Sequence, residues 1–145
     1  MVATKWGSVR IDEIMHRDVR RINPDMRLAD AARKMRDMDV GCLLVWEDEE
    51  LIGIITDRDV TCRAIAEARD PAVTTVRDVM SKDVAFCFDD QMADEAAHIM
   101  EEKKVRRLPV FDHDKHIVGI LTLSDLSINA PELTGKVVRS MYLHH

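Results

Sequence analysis

An internal repeat constrains this chain more than any other feature of its sequence. Sliding the chain by 65 residues places Met15 on Met80 and one Ala-rich stretch on another. After one extra residue in the second copy the shift becomes 66, and Gly53 falls on Gly119. Two copies of one unit therefore account for most of the 145 residues, which predicts a fold built from two similar halves.

Each copy has the same order of local patterns. A short extended piece, at residues 19–22 and 84–88, precedes a stretch in which Ala and Met recur at spacings of three and four, typical of a helix. Two short apolar runs follow, CLLVW and LIGIIT in copy one and RLPVF and IVGILT in copy two, and each pair predicts a β-hairpin. A second helix is expected to end near Ala68 in copy one and near Ile128 in copy two. The predicted class is α/β (α+β), with two β-α-β-β-α repeats.

The repeats are expected at residues 9–69 and 74–130. In the linker DPAVTT, Pro71 ends one helix and Thr75 caps the next. A single copy of about 60 residues buries too little surface to be more than marginally stable, so we expect the two copies to pack together. Residues 131–145 are predicted to form a C-terminal helical tail with one apolar face. That face consists of Leu133, Val137, Val138 and Met141.

Composition excludes several classes of protein. The 21 basic and 27 acidic residues give a net charge of −6, which disfavours binding to nucleic acid or an anionic membrane. No apolar run approaches the ~18 residues of a membrane span. The start, MVATKWGSVR, lacks the apolar core of a secretory signal, so we expect a cytoplasmic protein. Cys42, Cys62 and Cys87 have no CxxC spacing, which predicts free and mostly buried thiols.

Four motifs recur in both copies in the same order. They are a leading DEIM or RDVM, the Ala-rich helix, a V-x-x-L-x-V strand, and a close that reads GIITDRD in copy one and GILTLSD in copy two. Over about residues 9–130 this order resembles a pair of cystathionine-β-synthase (CBS) domains of the stand-alone bacterial regulatory type. The resemblance implies two repeats packed with pseudo-two-fold symmetry, a homodimer, and no catalysis or required cofactor. It also implies regulatory binding of an adenosine nucleotide in the cleft between the copies, and signalling to an effector protein.

The resemblance also assigns ligand-binding residues. A ribose needs a carboxylate, because one ionised Asp accepts hydrogen bonds from both hydroxyls. Asp125 in copy two and Asp59 in copy one match this position. Thr122 and Thr56, with the amides of the helix that follows each, are candidates for holding the phosphates. The other candidates are Arg58, Arg106 and Arg107 for the phosphate charge and Pro109 beside the adenine.

Each of these residues also has a purely structural interpretation. Thr-x-x-Asp at a strand-to-helix junction is a variant of the capping box, and the arginines fit a solvated surface. We expect copy two to be the stronger site, because it has Pro109 where copy one has Leu44 and because it has the arginine pair. The family often has a Thr near the ligand in the first extended piece, where this chain has Arg21 and Phe86.

Three alternatives belong to other functional classes. An enzyme is disfavoured, because G-x-S-x-G, HExxH and phosphate-loop sequences are absent. A metal sensor would use His113 and His116 with Asp112 and Asp114 at a hairpin tip, although a charged turn is the simpler interpretation. The third alternative is a ligand-free interaction scaffold.

Homodimerisation is predicted from the apolar faces of the Ala-rich helices together with the tail. Small Ala side chains allow helices to approach closely. The residues of these two faces are Ala31, Ala32, Met35, Met38, Ala96, Ala97 and Met100. Which adenosine compound binds stays open among AMP, ADP, ATP, NAD and S-adenosylmethionine, since all present the same nucleoside.

Overall fold

The computed structural model describes residues 9–142 and, beyond Ser140, the backbone alone. Short strands and helices alternate in the same order twice. The elements are α1 (Ile11–Ile14), β1 (Arg21–Ile22), α2 (Leu28–Met38), β2 (Cys42–Glu47), β3 (Glu50–Thr56), α3 (Asp57–Asp59) with a π-helical continuation (Val60–Ile65), α4 (Val76–Val79), β4 (Cys87–Phe88), α5 (Ala93–Lys103), β5 (Arg107–Phe111), β6 (Ile117–Thr122), α6 (Leu123–Asn129) and α7 (Pro131–Tyr142).

The mixed α and β class is confirmed, with two three-stranded sheets ordered β1-β2-β3 and β4-β5-β6. In each sheet an antiparallel hairpin supplies two strands, as the paired apolar runs predict, and the first strand joins in parallel. The extended pieces are shorter than predicted. Only residues 21–22 and 87–88 pair with the central strand, so the rest of 19–22 and 84–88 lies outside the sheets.

Helices α2 and α5 end in the same way, without a glycine. Asp39 after α2 and Lys104 after α5 adopt left-handed backbone conformations, with φ of 54° and 56°. The next residues, Val40 and Val105, donate their N–H groups to carbonyls five residues earlier at 3.0 and 3.1 Å. Both valines also pack on a hydrophobic core, and this contact completes a Schellman-type helix end.

The second helix of copy one differs from its prediction. A regular helix to about Ala68 was expected, but after α3 the chain widens into a π-helical segment, where the N–H of Ala66 reaches the carbonyl of Thr61 at 3.0 Å. The Thr61 hydroxyl donates to the carbonyl of Asp57 at 3.1 Å, a local bond that competes with regular helix geometry. The segment ends at Ile65, and Ala68 in the following turn has a φ of 57°.

The chain forms two compact units that do not coincide with the order of the repeats. The middle unit consists of residues 20–84, and the split unit combines the chain before residue 20 with the chain from residue 85 onward. Consequently α1 packs on α6 and β6 of copy two, and α4 packs on the π-helical segment of copy one. The predicted repeats at residues 9–69 and 74–130 are units of sequence similarity, whereas the compact units are defined by contacts. The repeat boundaries stay a prediction.

Each unit has its own hydrophobic core. In the middle unit the core is formed by α2, the sheet and α4, and in the split unit it is formed by α1, α5, the sheet, α6 and α7. Val137 of the predicted tail is fully buried there, and Leu133 packs beside it. The side chain of Met141 and residues 143–145 lie outside the described part of the chain.

Most of the apolar surface predicted to form a dimer is used inside the units. Ala31 and Met35 are buried in the middle unit, and Ala96, Ala97 and Met100 are buried in the split unit. Exposed apolar side chains lie elsewhere, including Ile128 on α6 and Val138 on α7. The Ala-rich faces therefore cover their own sheets.

The glycine of the GIIT and GILT motifs permits a close approach of the leading segments. His16 exchanges backbone hydrogen bonds with Ile120 at 2.8 and 2.9 Å, immediately after Gly119. A Cβ on Gly119 would lie 2.6 Å from the His16 carbonyl oxygen, too close for any side chain. Gly53 has the same role beside Ser81, whose carbonyl oxygen would lie 2.9 Å from its Cβ.

We expect Gly119→Ala to destabilise the protein by about 1–3 kcal/mol, because the added methyl forces the His16 backbone away from β6. Gly135→Ala on α7 is the matched control, since nothing lies within 4 Å of its Cβ. That control should stabilise by about 0.5–1 kcal/mol through helix propensity. Urea denaturation measures both, and a Gly119→Ala variant as stable as the parent would contradict the packing argument.

Candidate functional site

The start of α6 contains the two residues predicted to hold ribose and phosphate in copy two. Thr122 and Asp125 form a reciprocal capping box: the Thr122 N–H donates to Asp125 Oδ2 at 2.8 Å, and the Asp125 N–H donates to Thr122 Oγ1 at 3.1 Å. The aspartate is 6% exposed. The structural interpretation of this motif is thus confirmed, while its ligand role stays a prediction.

The start of α3 repeats this arrangement in copy one. The Thr56 N–H donates to Asp59 Oδ2 at 2.9 Å, and the Asp59 N–H donates to Thr56 Oγ1 at 3.1 Å. Asp59 is 9% exposed. Both predicted ribose carboxylates therefore begin a helix, with one oxygen directed at the backbone.

The second oxygen of each aspartate contacts a residue of a leading segment. His16 Nε2 lies 2.8 Å from Asp125 Oδ1, and the Ser81 hydroxyl donates to Asp59 Oδ1 at 3.2 Å. Since a carboxylate has about four acceptor positions, further hydrogen bonds remain possible at each. The His16 side chain is largely exposed, whereas that of Asp125 is buried.

The hairpin of copy two brings the predicted arginines to the start of α6. Arg107 is the register partner of Thr122, and the N–H of Leu123 donates to the carbonyl of Arg106 at 2.8 Å. Arg107 is half-buried and Arg106 is exposed. Thr122, Asp125 and both arginines of the prediction are therefore adjacent on one unit.

The same hairpin in copy one has no cation at the matching positions. Cys42 is the register partner of Thr56, and the N–H of Asp57 donates to the carbonyl of Gly41 at 3.0 Å. Arg58 is exposed on α3, and its backbone N–H donates to Asp57 Oδ1 at 2.9 Å. The two copies thus have the same backbone and cap but a different local charge.

Pro109 changes the hydrogen bonding of the central strand in copy two. Its counterpart Leu44 donates its N–H to the carbonyl of Arg20 at 3.1 Å. Pro109 is buried at the same place in β5 and has no N–H. The matching carbonyl of Ala85 therefore receives no bond from this residue.

The positions where the family often has a threonine pack against aromatic rings. The Arg21 guanidinium lies 4.0 Å from the centroid of the Trp46 ring, a cation–π contact. Phe86 packs edge-on against Phe111 with centroids 5.5 Å apart, and it is 46% exposed. Copy two therefore presents an accessible aromatic surface where copy one presents a stacked arginine.

The tip of the second hairpin brings together three of the four residues of the metal alternative. Ligand atoms of Asp112, Asp114 and His116 lie within 4.8 Å of one another. The N–H groups of His116 and Asp114 donate to Asp112 Oδ1, both at 2.9 Å. These bonds lower the pKa of Asp112, with the His116 N–H as the largest cause, so the turn is also stabilised without a metal.

His113 lies apart from those three groups. Its Nε2 is 2.8 Å from Asp90 Oδ2, and its ring stacks on Phe88 with centroids 4.8 Å apart. The hydrogen bond with Asp90, and then the negative charge of Asp90, raise the pKa of His113.

The three cysteines are all described and none is in a disulfide, as predicted. Cys42 and Cys87 are buried, whereas Cys62 is exposed. Burial raises the pKa of Cys87 to about 12, so this thiol stays protonated at neutral pH and is a poor nucleophile.

The family profile named CBS domain matches the chain twice, at residues 11–63 and 76–129. The chain belongs to the CBS domain family. The resemblance inferred from the repeated motifs is therefore confirmed, and such tandem CBS domains are generally regulatory ligand-binding modules. Among residues 9–142, none of the helices combines the length and the apolar character that a bilayer span requires.

Solved CBS structures agree with this fold. A conserved CBS domain protein of unknown function from Thermoplasma acidophilum, TA0289, superposes with a TM-score of 0.84 at 25% identity, covering 91% of this chain and 75% of that one. A hexameric CBS-CP12 protein from bloom-forming cyanobacteria gives a TM-score of 0.77 at 25% identity, covering 84% and 72%.

Hypoxic response protein 1 of Mycobacterium tuberculosis is similar in both sequence and structure. It is 31% identical over 121 residues, which span 83% of this chain and 84% of the relative. The structure of Hypoxic Response Protein I with two coordinated zinc ions superposes with a TM-score of 0.71.

The sequence interpretation missed the partners of the two aspartates. His16 and Ser81 each follow the methionine of a leading segment, and the 65-residue shift places one on the other. The repeat alignment could have marked them as equivalent positions in this CBS pair. Their contacts with the T-x-x-D motif could not be inferred from the sequence. The leading segment of copy one packs on copy two, and the leading segment of copy two packs on copy one.

The His113–Asp90 pair predicts a pH-dependent contribution to stability. Because the folded pKa of His113 is raised, this contribution is complete below the ordinary value of about 6.5 and is lost as the pH rises through the folded pKa. We expect His113→Gln to lower the melting temperature at about pH 5.5 and to have little electrostatic effect at about pH 9.

Asp90→Asn should reproduce this pH dependence, because it removes the other member of the pair. Thermal unfolding followed by circular dichroism across this range measures both variants. An equal loss at both pH values would assign the effect of His113 to its stacking on Phe88 instead.

Proposed function

We propose that this chain is a cytoplasmic regulatory module that binds an adenosine nucleotide, more strongly at copy two, and signals its presence to a partner protein. The observation that carries the proposal is the register of the second hairpin, which aligns Arg107 with Thr122 beside the Asp125 carboxylate. The cation of Arg107, a hydroxyl and a buried carboxylate, with Arg106 adjacent in the chain, suit a molecule with an anionic end and a diol.

The chemistry of each part of a nucleotide has a counterpart in copy two. Arg106 and Arg107 suit the phosphates, since guanidinium groups favour anions. At the start of α6 the N–H groups of Leu123 and Asp125 already donate to Arg106 and Thr122, so the arginines carry this role. Asp125 suits the ribose hydroxyls. The carbonyl of Ala85 suits the exocyclic amine of adenine, and the exposed ring of Phe86 offers a face for stacking.

Copy one supports this function less well. The positions equivalent to the arginine pair are Gly41 and Cys42, and the N–H of Leu44 already donates to the carbonyl that corresponds to that of Ala85. In copy one, the cation next to Thr56 and Asp59 in the chain is Arg58. We therefore propose one dominant nucleotide site per chain.

Asp125→Asn tests the ribose role. We expect it to weaken nucleotide binding by about tenfold to hundredfold, because hydrogen bonds to an ionised acceptor contribute ~1.5–3 kcal/mol. Stability without ligand should fall mainly by the charge–dipole contribution of a cap, about 0.3–1 kcal/mol. Calorimetry with AMP, ADP and ATP, together with unliganded melting temperatures, separates the two effects.

Asp59→Asn is the matched control, since Asp59 has the same cap and a similar burial in copy one. It should reproduce the stability change and leave the dominant affinity unaltered. If Asp125→Asn binds as tightly as the parent, the aspartate is a helix cap only. If no adenosine compound binds the parent or raises its melting temperature, the scaffold alternative replaces ligand sensing.

A metal sensor is the second candidate, since three ligand atoms converge at the hairpin tip and a related protein has coordinated zinc ions. His116 is the residue to replace in testing it, because His113 is directed to Asp90. Zinc binding lost in His116→Ala and retained in His113→Ala would favour this candidate over the nucleotide.

We further propose that the chain forms a homodimer through α6 and α7, in line with the hexameric assembly of the CBS-CP12 relative. Ile128 is 79% exposed on α6, and Val138 is exposed at the edge of α7. We expect light scattering at micromolar concentration to give a dimer and Ile128→Glu to shift it toward monomer. Val73→Glu, at a 65% exposed site of the middle unit, should leave the dimer intact. A monomeric parent would refute the proposal.

A further inference from the structure

The middle unit has an open groove between the π-helical segment and α4, with a volume of about 780 Å³. None of the eight predicted nucleotide-binding residues lines it. Charged side chains dominate the lining, with four cations and two carboxylates. They are Arg63, Arg69, Arg77, Lys82, Glu67 and Asp78.

One cation and one carboxylate of the groove are already paired. Arg77 forms ion pairs with Glu47 and, at 3.7 Å, with Asp25. Asp78 accepts bonds from the N–H and the hydroxyl of Thr75, both at 3.0 Å, and these bonds are the main cause of its lowered pKa. The charge of Arg77 is therefore already compensated by carboxylates, and the carboxylate of Asp78 is already held by Thr75.

The other three cations are less well compensated. Arg63 Nη1 donates to the carbonyls of Val79 and Met80 at 3.3 and 3.0 Å, which holds its guanidinium at the end of α4. Among the residues that the structure describes, Arg63 forms no ion pair with a carboxylate. Within residues 9–142, the side chains of Arg69 and Lys82 form no hydrogen bond or close ion pair. Arg69 is near enough to Asp78 to contribute in a minor way to its lowered pKa.

We propose that this groove is a second ligand site, which binds a small molecule carrying two or more phosphate groups. Cations along a concave surface concentrate positive potential. The groove therefore has the opposite sign to the chain as a whole, whose net charge is −6. The guanidinium of Arg63 is held in place, and a planar guanidinium suits paired phosphate oxygens. Arg69 and Lys82 are both exposed and supply two further cations for the anion.

The groove contains its own chemical reporter. Cys62 lines it and is exposed, whereas Cys42 and Cys87 are buried. A neutral maleimide should therefore modify Cys62 first, and mass spectrometry of peptides verifies the position. We expect pyrophosphate to slow this modification and rising salt to abolish the protection, since exposed charges are screened.

Calorimetry with pyrophosphate tests which residues hold the anion. The double variant Arg69→Ala/Lys82→Ala should bind it at least about tenfold more weakly, because two charge-assisted contacts are removed. Lys103→Ala/Lys136→Ala is the matched control, with the same change in net charge on exposed helix positions of the split unit. It should bind as the parent does. Equal affinities for the parent and Arg69→Ala/Lys82→Ala, or no protection of Cys62, would overturn the proposal.

The site is independent of the proposed nucleotide site, and the same assay separates them. Asp125→Asn and Arg107→Ala should retain the pyrophosphate affinity and the protection of Cys62. If either variant loses both, the anion binds beside α6 and the groove is not a site. If no adenosine compound binds with an affinity that depends on Asp125, while pyrophosphate still protects Cys62, the nucleotide proposal is refuted and the groove remains a ligand site.

Discussion

The aspartate of each T-x-x-D motif is the contact on which the strand-to-helix junctions of this CBS pair depend. A buried carboxylate is costly unless its oxygens are hydrogen-bonded, and Asp125 and Asp59 meet this requirement in the same way. One oxygen accepts the N–H at the end of a strand, which fixes the angle at which the helix leaves the sheet. The other oxygen contacts His16 or Ser81 in a leading segment. A single side chain thus joins strand, helix and a segment distant in sequence.

This contact explains why the compact units cut across the repeats. The leading segment that contains Ile11 and Met15 lies in the core of the split unit, more than 70 residues before most of its neighbours there. Gly119 provides the space for that segment, and Gly53 does so for its counterpart in the middle unit. A chain cut at the linker between the repeats would remove each leading segment from the core it completes. The two copies therefore depend on each other for a full core.

Local features of this fold were predictable and contacts between distant segments were not. The hairpins, the Ala-rich helices and the capping boxes each follow from residues within a few positions of one another, so their patterns are visible in the sequence. The contact of His16 with Asp125 spans more than 100 residues and depends on which leading segment packs on which copy. The π-helical widening at Thr61 accompanies a side-chain hydrogen bond that regular periodicity does not indicate. The basic groove combines residues from the end of one repeat and the start of the next, so neither repeat pattern contains it.

The two copies differ at positions where the fold does not require the same residue. The cap, the hairpin register and the glycine are kept in both, because each is required to close a sheet against a leading segment. Copy two has Arg107 where copy one has Cys42, and Pro109 where copy one has Leu44. The backbone path is the same in both, since these residues have the same register in their hairpins. These positions alter the charge beside the helix start and the hydrogen-bonding capacity of the central strand, which are properties that a ligand would meet. A duplicated fold can in this way keep one scaffold and assign ligand binding to one copy.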